Sequence, residues 1–237
     1  MDGDSHDGNA RTAAAKYADW VSLLRDDSAY LRAAPAPAYW ALAPHYVGQY
    51  TECACSLASA VMIVNAARSE DLRKSGSKTM SQPALLDAVG SAEWRAEVGH
   101  DGGQGVGLSH LRTLLDASLK AVGVAPARVE AFPLQSSASD GLARFRGLLQ
   151  ESEARPGLFV IANYYMAAVI GDGDYGHFSP IGAYDAARDR VLILDVYRVE
   201  LEPYWVPVER LFAGMATINR ADGEPRGYLA IRLSERP

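Results

Sequence analysis

A histidine and an aspartate occupy two adjoining apolar segments in the last third of the chain. His177 lies in residues 176–182, GHFSPIG, and Asp195 ends the segment LILD. The polar stretch at residues 184–189 predicts the turn of a β-hairpin between them. A turn centred on Ala186 places His177 opposite Asp195, where a carboxylate holds an imidazole in one tautomer. A one-residue slip would put the two on opposite faces, and a hairpin with an incidental His and Asp is the alternative.

A cysteine precedes the most apolar run of the chain. Residues 57–67, LASAVMIVNAA, contain neither Gly nor Pro and predict a buried helix with Cys55 at its N-terminal edge. A thiolate there would lie at the positive end of the helix dipole, near unpaired backbone N–H groups. The Cys55 N–H and the side chain of Gln49 are candidate donors to an oxyanion. The alternative for Cys55 is a small hydrophobic residue that begins a buried helix.

The remaining patterns predict the elements that position these residues. Apolar residues at helical spacing predict a helix over residues 17–31, and prolines then break the chain. Further helices are predicted over 57–67, 83–89, 108–120 and 140–153, and strands over 158–162, 177–184, 191–196 and 228–233. A helical half followed by a mostly antiparallel sheet half is an α+β layout. With Cys55 on the first half and His177 and Asp195 on the second, the arrangement is papain-like.

The composition limits the class of protein. With 237 residues and an apolar fraction of 49%, the chain can form a large core, and no stretch is long enough to span a membrane. Residues 1–16 lack the apolar core of a secretory signal, so we expect a flexible leader and a cytoplasmic protein. Residues 17–237 are expected to form one domain, with a helical lobe to about residue 155 and a sheet lobe from about residue 156. The net charge of −6, without a basic block, disfavours nucleic acid as a partner.

The two cysteines and a glycine-rich segment indicate less about the function. Cys53 and Cys55 are the only cysteines, which excludes a disulfide scaffold, and the spacing of a structural zinc site is absent. Three interpretations of these cysteines stay open: buried apolar thiols, a strained local disulfide and a reactive thiol. The glycine-rich residues 99–107 do not follow a strand, so they predict a surface or cleft loop instead of a phosphate site. His100 and Asp101 are expected to be solvated loop residues, and no metal site is predicted.

Several motifs resemble the phytochelatin synthases. The resemblance covers about Tyr46 to Ile231, is densest in the last third and is sparse between residues 68 and 158. Its most specific part is GHFSPIG followed by the acid of LILD. The resembling segments are NYYM at 163–166, GHFSPIG at 176–182, LILDV at 192–196, WVP at 205–207, RG at 226–227, LAS at 57–59 and NA at 65–66, with Gln49 and Cys55 upstream. The resemblance implies a papain-like fold and the short, bacterial-type catalytic module.

The resemblance also implies a reaction. Phytochelatin synthases cleave glycine from glutathione through a γ-glutamylcysteinyl thioester and pass the acyl group to a second glutathione or to water. The resemblance implies Cys55 as the nucleophile, His177 as general base and acid, and Asp195 as the acid that orients the imidazole. It likewise implies Gln49 as an oxyanion donor and Arg226 as the residue that binds the charged glutamyl end of the substrate.

The same resemblance bears on further residues and partners. Arg198 matches a family arginine near the substrate, with an exposed arginine at a strand end as the alternative. No resident cofactor is implied, and a thiol-binding metal enters only as part of the substrate. The expected partner is a small-molecule or peptide substrate, with no membrane contact. The oligomeric state stays open, although family members often pair as homodimers.

The chain departs from the family pattern where substrate is held. The family has Tyr-Cys-Gly at the nucleophile, whereas here Ala54 and Ser56 flank Cys55, and Ser56 is expected to narrow or repolarise the acyl pocket. Asn219 replaces an acid that would pair with the substrate α-ammonium, a loss of about 1–2 kcal/mol. Two alternatives therefore stay open. One is amide formation from a different, carrier-bound or peptide-like acyl donor, and the other is a non-catalytic thiol or metal binder that uses Cys53 and Cys55.

Overall fold

The computed structural model describes residues 16–69, 72, 76, 78–124, 127–135 and 139–234. The predicted leader lies outside these residues, apart from Lys16. The helices are α1 Ala29–Ala33, α2 Pro37–Leu42, α3 Cys55–Ala67, α4 Gln82–Val89, α5 Ala92–Glu97, α6 Leu108–Ala121, α7 Ser139–Ala154, α8 Met166–Ile170 and α9 Val208–Met215. The strands are β1 Ser22–Leu23, β2 Ala127–Pro133, β3 Leu158–Tyr165, β4 Gly176–Asp185, β5 Arg190–Ile193, β6 Tyr204–Pro207 and β7 Gly227–Leu233.

All seven strands belong to one antiparallel sheet, in the order β1-β6-β5-β4-β3-β7-β2. Helices together with an antiparallel sheet confirm the α+β class, and the predicted helices after residue 56 and the four predicted strands are present. The half predicted to be helical nevertheless contributes β1 and β2 to the sheet. Among the described residues, no helix is long and apolar enough to cross a membrane.

The sheet is buried on both faces because its central strands are apolar at almost every position. In β3, Phe159 and Ile161 belong to the core that includes α3 and α6, whereas Leu158 and Val160 belong to the core that includes α7 and α9. The alternation follows from the two-residue period of a strand. Helix α3, which begins at Cys55, is therefore held against one face of the sheet that carries His177.

The hairpin of β4 and β5 is confirmed, but its predicted register is wrong. Asp185 faces Arg190 and Ala183 faces Leu192, whereas Ile181 faces Ile193, so Gly182 is an extra residue in β4. Such a bulge shifts the ladder by one residue. His177 and Asp195 are consequently diagonal neighbours on one face instead of directly opposite each other. Without the bulge they would lie on opposite faces.

The helix predicted over residues 17–31 is also wrong. Ser22 and Leu23 pair with β6, and only Ala29–Ala33 is helical. Tertiary contacts hold this segment along the sheet: the Trp20 indole donates to the Val169 carbonyl at 2.9 Å, and the Leu24 N–H donates to the Pro203 carbonyl at 2.9 Å. The apolar residues of this segment have helical spacing, but most of the segment is not helical. Tertiary contacts override its local helix propensity.

Candidate active site

Cys55 is the first residue of α3 and lines a cleft at the end of the sheet. The residue before the helix is Ala54, which offers no side-chain cap to the first N–H groups. These uncapped N–H groups and the helix dipole favour negative charge at this position. Cys55 is 8% exposed, so its thiol is desolvated yet reachable from the cleft. This setting suits an anionic sulfur and an oxyanion bound next to it.

His177 and Asp195 form a buried pair. The imidazole Nε2 lies 2.9 Å from Asp195 Oδ1, and the side chains are 3% and 0% exposed. The Tyr197 N–H donates to the same oxygen at 2.9 Å. Because Nε2 is occupied by the carboxylate, Nδ1 is the nitrogen left for the Cys55 thiol, with which the imidazole also interacts. The predicted base and its orienting acid are therefore in contact.

Two tyrosines complete the surroundings of the Asp195 carboxylate. The hydroxyls of Tyr164 and Tyr204 each donate to Asp195 Oδ2 at 3.2 Å and lie 3.1 Å from each other. The Tyr46 hydroxyl donates to the Asp195 backbone carbonyl. None of these tyrosines was singled out from the sequence. Tyr164 could have been found, because β3 is adjacent to β4 and Tyr164 faces His177 in the ladder.

The charges of this pair are mutually stabilised. Burial alone lowers the pKa of His177, but the Asp195 charge and hydrogen bond, with a further contribution from Cys55, raise it to about 10. Burial raises the pKa of the Asp195 carboxyl, whereas the imidazolium and the hydrogen bonds that Asp195 accepts hold it below its ordinary value. At neutral pH the pair is an imidazolium and a carboxylate. Such a pair can stabilise a thiolate and donate a proton to a leaving group.

One hydrogen bond sets the distance between nucleophile and base. Ser59, one turn after Cys55 in α3, donates its hydroxyl to the Phe178 carbonyl at 3.2 Å. Phe178 follows His177 in β4, so the bond joins the helix that carries the thiol to the strand that carries the imidazole. Both ends are buried. The two catalytic candidates are therefore fixed on rigid elements.

Gln49 lines the same cleft. Its backbone N–H donates to the Val196 carbonyl at 2.7 Å, next to Asp195. One N–H of its side-chain amide donates to the Glu52 carbonyl at 2.9 Å, and its buried Oε1 has no hydrogen-bond partner in the described part of the chain. The second N–H of Nε2 is the one left for an oxyanion. The structure thus places Gln49 at the cleft and ties its amide to the loop before Cys55.

The cleft has a volume of about 780 Å³, and its lining includes the charged residues Glu52, Asp174, Arg220 and Arg226. Arg226 is buried, and its guanidinium donates to Thr217 Oγ1 at 3.1 Å, to the Ile218 carbonyl at 2.6 Å and to Asn219 Oδ1 at 3.4 Å. These partners are all neutral. Burial lowers the pKa of Arg226, and the nearby Asp222 charge opposes that effect only in part. A ligand carboxylate in the cleft would supply the missing counter-charge.

Asn163 is a further cleft residue that the sequence motif contained but did not assign. It follows Ala162 in β3, faces Phe178 across the ladder and is 4% exposed. None of the described residues donates a hydrogen bond to its buried Oδ1. A buried, unpaired carbonyl oxygen costs about 1–3 kcal/mol, and a ligand N–H group would satisfy it.

A comparison with protein families identifies the family of this chain. The family model described as phytochelatin synthase matches residues 27–228, which include Cys55, His177 and Asp195. The chain belongs to the phytochelatin synthase family.

Plant members of this family are similar to the chain over most of its length. Glutathione gamma-glutamylcysteinyltransferase 1 of Lotus japonicus is 31% identical over 199 residues, which are 84% of this chain and 36% of the relative. The enzyme of that name from Arabidopsis thaliana is 31% identical over 199 residues, 84% of this chain and 38% of the relative. The one from Triticum aestivum is 37% identical over 115 residues, 48% of this chain and 22% of the relative. The chain thus spans less than two fifths of the length of these relatives.

The residues expected from phytochelatin synthases to hold substrate divide into two groups. Arg226 and Asn219 lie in the cleft and are hydrogen-bonded to each other. Ser56 does not line it: the Ser56 hydroxyl is fully buried and accepts from the Trp94 indole at 3.3 Å. As the second residue of α3, Ser56 projects into the core beside α5, so the expectation that it narrows or repolarises the acyl pocket is corrected.

Arg198 is likewise absent from the cleft lining. It is exposed, and its guanidinium stacks over the Tyr46 ring at 4.7 Å from the ring centroid. This is the exposed arginine of the alternative interpretation. Tyr46 is the tyrosine that donates to the Asp195 backbone carbonyl. Arg198 therefore lies on the solvent side of the hydrogen bonds around Asp195.

Proposed function

We propose that the protein is a cysteine acyltransferase of the γ-glutamylcysteine transferase type. It cleaves a glutathione-type amide through a thioester on Cys55 and passes the acyl group to water or to an amine. The observation that supports this most is the buried His177–Asp195 pair, whose imidazole interacts electrostatically with a cysteine at an uncapped helix N-terminus, in a chain of this family.

Acylation follows from the charges of the site. The Cys55 thiolate attacks the carbonyl carbon of the scissile amide, and the negative charge that develops on the oxygen is received by the Cys55 N–H and the Gln49 amide. The His177 imidazolium donates its proton to the departing amine, here glycine. A neutral imidazole and a thioester remain. The Asp195 carboxylate keeps the imidazole in place throughout.

Deacylation uses the same groups in reverse. Neutral His177 accepts a proton from water or from an amine as that nucleophile attacks the thioester carbon. The C–S bond then breaks, and Cys55 returns as a thiolate beside the imidazolium. Because the pKa of His177 is raised by Asp195 and Cys55, the imidazolium beside the Asp195 carboxylate is restored at neutral pH.

Recognition of the acyl donor is assigned to Arg226, Asn219 and Asn163, which line the cleft. The hydrogen-bond partners of Arg226 among the described residues are neutral, so Arg226 suits the α-carboxylate of a glutamyl group. Asn163 offers an amide oxygen to an α-ammonium or a peptide N–H, whereas Asn219 Oδ1 already accepts from Arg226. Neither carries a charge, which makes ammonium recognition weaker than a carboxylate would.

Incubation with glutathione tests the proposal. Intact-mass spectrometry should detect γ-Glu-Cys on the protein, and glycine should be released in solution, with and without a thiol-binding metal. Cys55→Ser should abolish both signals. Absence of both the adduct and free glycine with the unchanged protein would refute glutathione as the donor.

A second candidate has the same chemistry with a different donor, forming an amide from a carrier-bound or peptide-like acyl group. The exposed Tyr175 and Ile218 at the mouth of the cleft favour a donor with apolar parts beyond those of glutathione. Alkylation of Cys55 by iodoacetamide at neutral pH, lost in His177→Ala, together with silence towards glutathione, would favour this candidate. Alkylation that is indifferent to His177 would favour the non-catalytic thiol binder.

A further inference from the structure

A second groove, of about 480 Å³, opens beside the cleft. It lies between the loop before α3 and the glycine-rich loop after α5. Its lining consists of Gln49, Tyr50, Thr51, Glu52, Cys53, Gly99, His100, Gly102, Gly103, Tyr197 and Val199. We name it the acceptor groove.

The acceptor groove adjoins the donor cleft. Gln49, Glu52, Cys53 and Tyr197 line both. A ligand bound in the groove therefore lies beside the cleft that Cys55 lines.

The walls of the groove are fixed by hydrogen bonds between the two loops. Thr51 donates its hydroxyl to the Val98 carbonyl at 2.7 Å, and the Cys53 thiol donates to the Gly103 carbonyl at 2.7 Å. The Tyr50 N–H donates to the Gln82 side chain at 3.3 Å. The groove is thus preformed, as ligand sites usually are.

The groove has exposed apolar side chains and one carboxylate, and it lacks the two arginines that line the donor cleft. Tyr50 and Val199 are large hydrophobic residues that are 40% and 85% exposed. Glu52 is the carboxylate that lines the groove. No Lys or Arg is among the described residues that line it. Exposed apolar side chains next to carboxylates suit a ligand with an apolar body and a cationic head.

We infer that this groove binds the acyl acceptor and that the acceptor is a primary amine with an aromatic or branched aliphatic body. The inference rests on the proposed function. The ammonium lies near Glu52 and the body lies on Tyr50 and Val199. After the ammonium releases one proton to solvent, its nitrogen attacks the thioester carbon. The C–N bond forms, the C–S bond breaks, the second proton passes to His177, and Cys55 leaves as a thiolate.

Direct binding to the resting protein tests the groove independently of turnover. In isothermal titration calorimetry, 2-phenylethylamine at pH 7 should bind at least about tenfold more tightly than ethanolamine, which lacks the ring, and than 3-phenylpropanoate, which reverses the charge. Equal affinities for the three probes, or no binding of the amine, would overturn the inference.

Variants locate the binding. Tyr50→Ala should weaken 2-phenylethylamine about tenfold, whereas Trp40→Ala, which removes an aromatic side chain that is 58% exposed elsewhere, should leave it unchanged. Glu52→Gln should weaken it about threefold while keeping the side-chain size, because an exposed carboxylate contributes little. Equal changes in affinity for 2-phenylethylamine in Tyr50→Ala and Trp40→Ala would contradict binding in this groove. If Tyr50→Ala fails to fold, the affinity of Glu52→Gln is the test, and an unchanged affinity in that variant would contradict the groove.

Product analysis then connects the groove to the reaction. With glutathione as donor, the ratio of amide to hydrolysis product should be higher with 2-phenylethylamine than with ethanolamine, and should fall in Tyr50→Ala. Glycine release without amine binding would refute the groove and leave the proposed function standing. Amine binding without glycine release would refute glutathione as the donor and leave the groove standing.

Discussion

The Asp195 carboxylate and the Asn163 amide lie in the same part of the sheet, but their oxygens have opposite surroundings. The two carboxylate oxygens accept from His177, Tyr197, Tyr164 and Tyr204. The Asn163 Oδ1 is equally buried and accepts from no described group. The proposed catalytic pair is thus complete without a ligand, whereas the proposed recognition side has an acceptor that no described group satisfies. Substitutions on the two sides should therefore differ in how they change stability and rate.

Cys55→Ser gives the largest expected effect on rate. Oxygen is a poor nucleophile in a site that depends on a thiolate, so turnover should fall by about 10³-fold or more. The free energy of unfolding should change little, because serine keeps a polar group of similar size beside the imidazole. Glycine release and thermal unfolding measured on the same sample check this. A variant that retains a tenth of the activity would contradict the nucleophile assignment.

Asp195→Asn should change the pH dependence of the reaction. The carboxylate charge raises the pKa of His177 to about 10, so its loss lowers that pKa. The alkaline limb of kcat/KM should move down by about one pH unit or more. In the unchanged protein, the stability from the protonated imidazole is complete below about pH 6.5 and is lost as the pH rises through about 10. The free energy of unfolding, measured as a function of pH, should show this loss only when Asp195 is present. If neither this pH dependence nor that of kcat/KM changes in Asp195→Asn, the pairing of His177 with Asp195 is contradicted.

Asn163→Leu should separate recognition from stability. Removing an unpaired buried oxygen should raise the free energy of unfolding by about 1 kcal/mol, or Tm by about 2–4 °C. The same change should raise KM for the donor about tenfold, because the ligand loses its acceptor. Asp195→Asn is the matched comparison, since it disturbs a fully paired carboxylate and should lower Tm. A lower Tm in both variants would mean that Asn163 is paired in solution.

Tyr204→Phe has the smallest expected effect. It removes one of the two hydroxyls on Asp195 Oδ2 and leaves Tyr164 in place, so stability should fall by about 1 kcal/mol. The rate should fall less than tenfold, since the His177–Asp195 contact is retained. Tyr197→Phe is the control, because its backbone N–H, and not its hydroxyl, contacts Asp195. Identical losses of stability and rate in Tyr204→Phe and Tyr197→Phe would contradict a specific role of the Tyr204 hydroxyl at Asp195.

Much of the site could be predicted because it depends on local patterns. The apolar run after Cys55 predicts α3, and the block around His177 with the acid of LILD predicts the hairpin. The register could not be predicted, because Gly182 looks like an ordinary strand residue. A Cβ there would lie 3.0 Å from Leu194 Cγ, a tertiary contact that no local pattern reveals.

Other outcomes depended on contacts between distant segments. The orientation of Ser56 was set by Trp94 in α5, and the segment that ends near Leu31 was held by β6. The tyrosines around Asp195 come from β3, β6 and the approach to α3, far apart in the chain. Hydrogen bonds of this kind have no periodicity, so residue types alone do not reveal them.

The extra residue in β4 limits how this hairpin can evolve. Between Gly182 and the catalytic pair, the loss or gain of one residue in either strand would turn His177 or Asp195 to the other side of the sheet, whereas a change of two residues would keep both on one side. The turn at residues 186–189 lies beyond the bulge and the paired strand ends. Insertions are therefore expected to accumulate in the turn and to be excluded from the strands, so that loop length varies freely while strand length stays fixed.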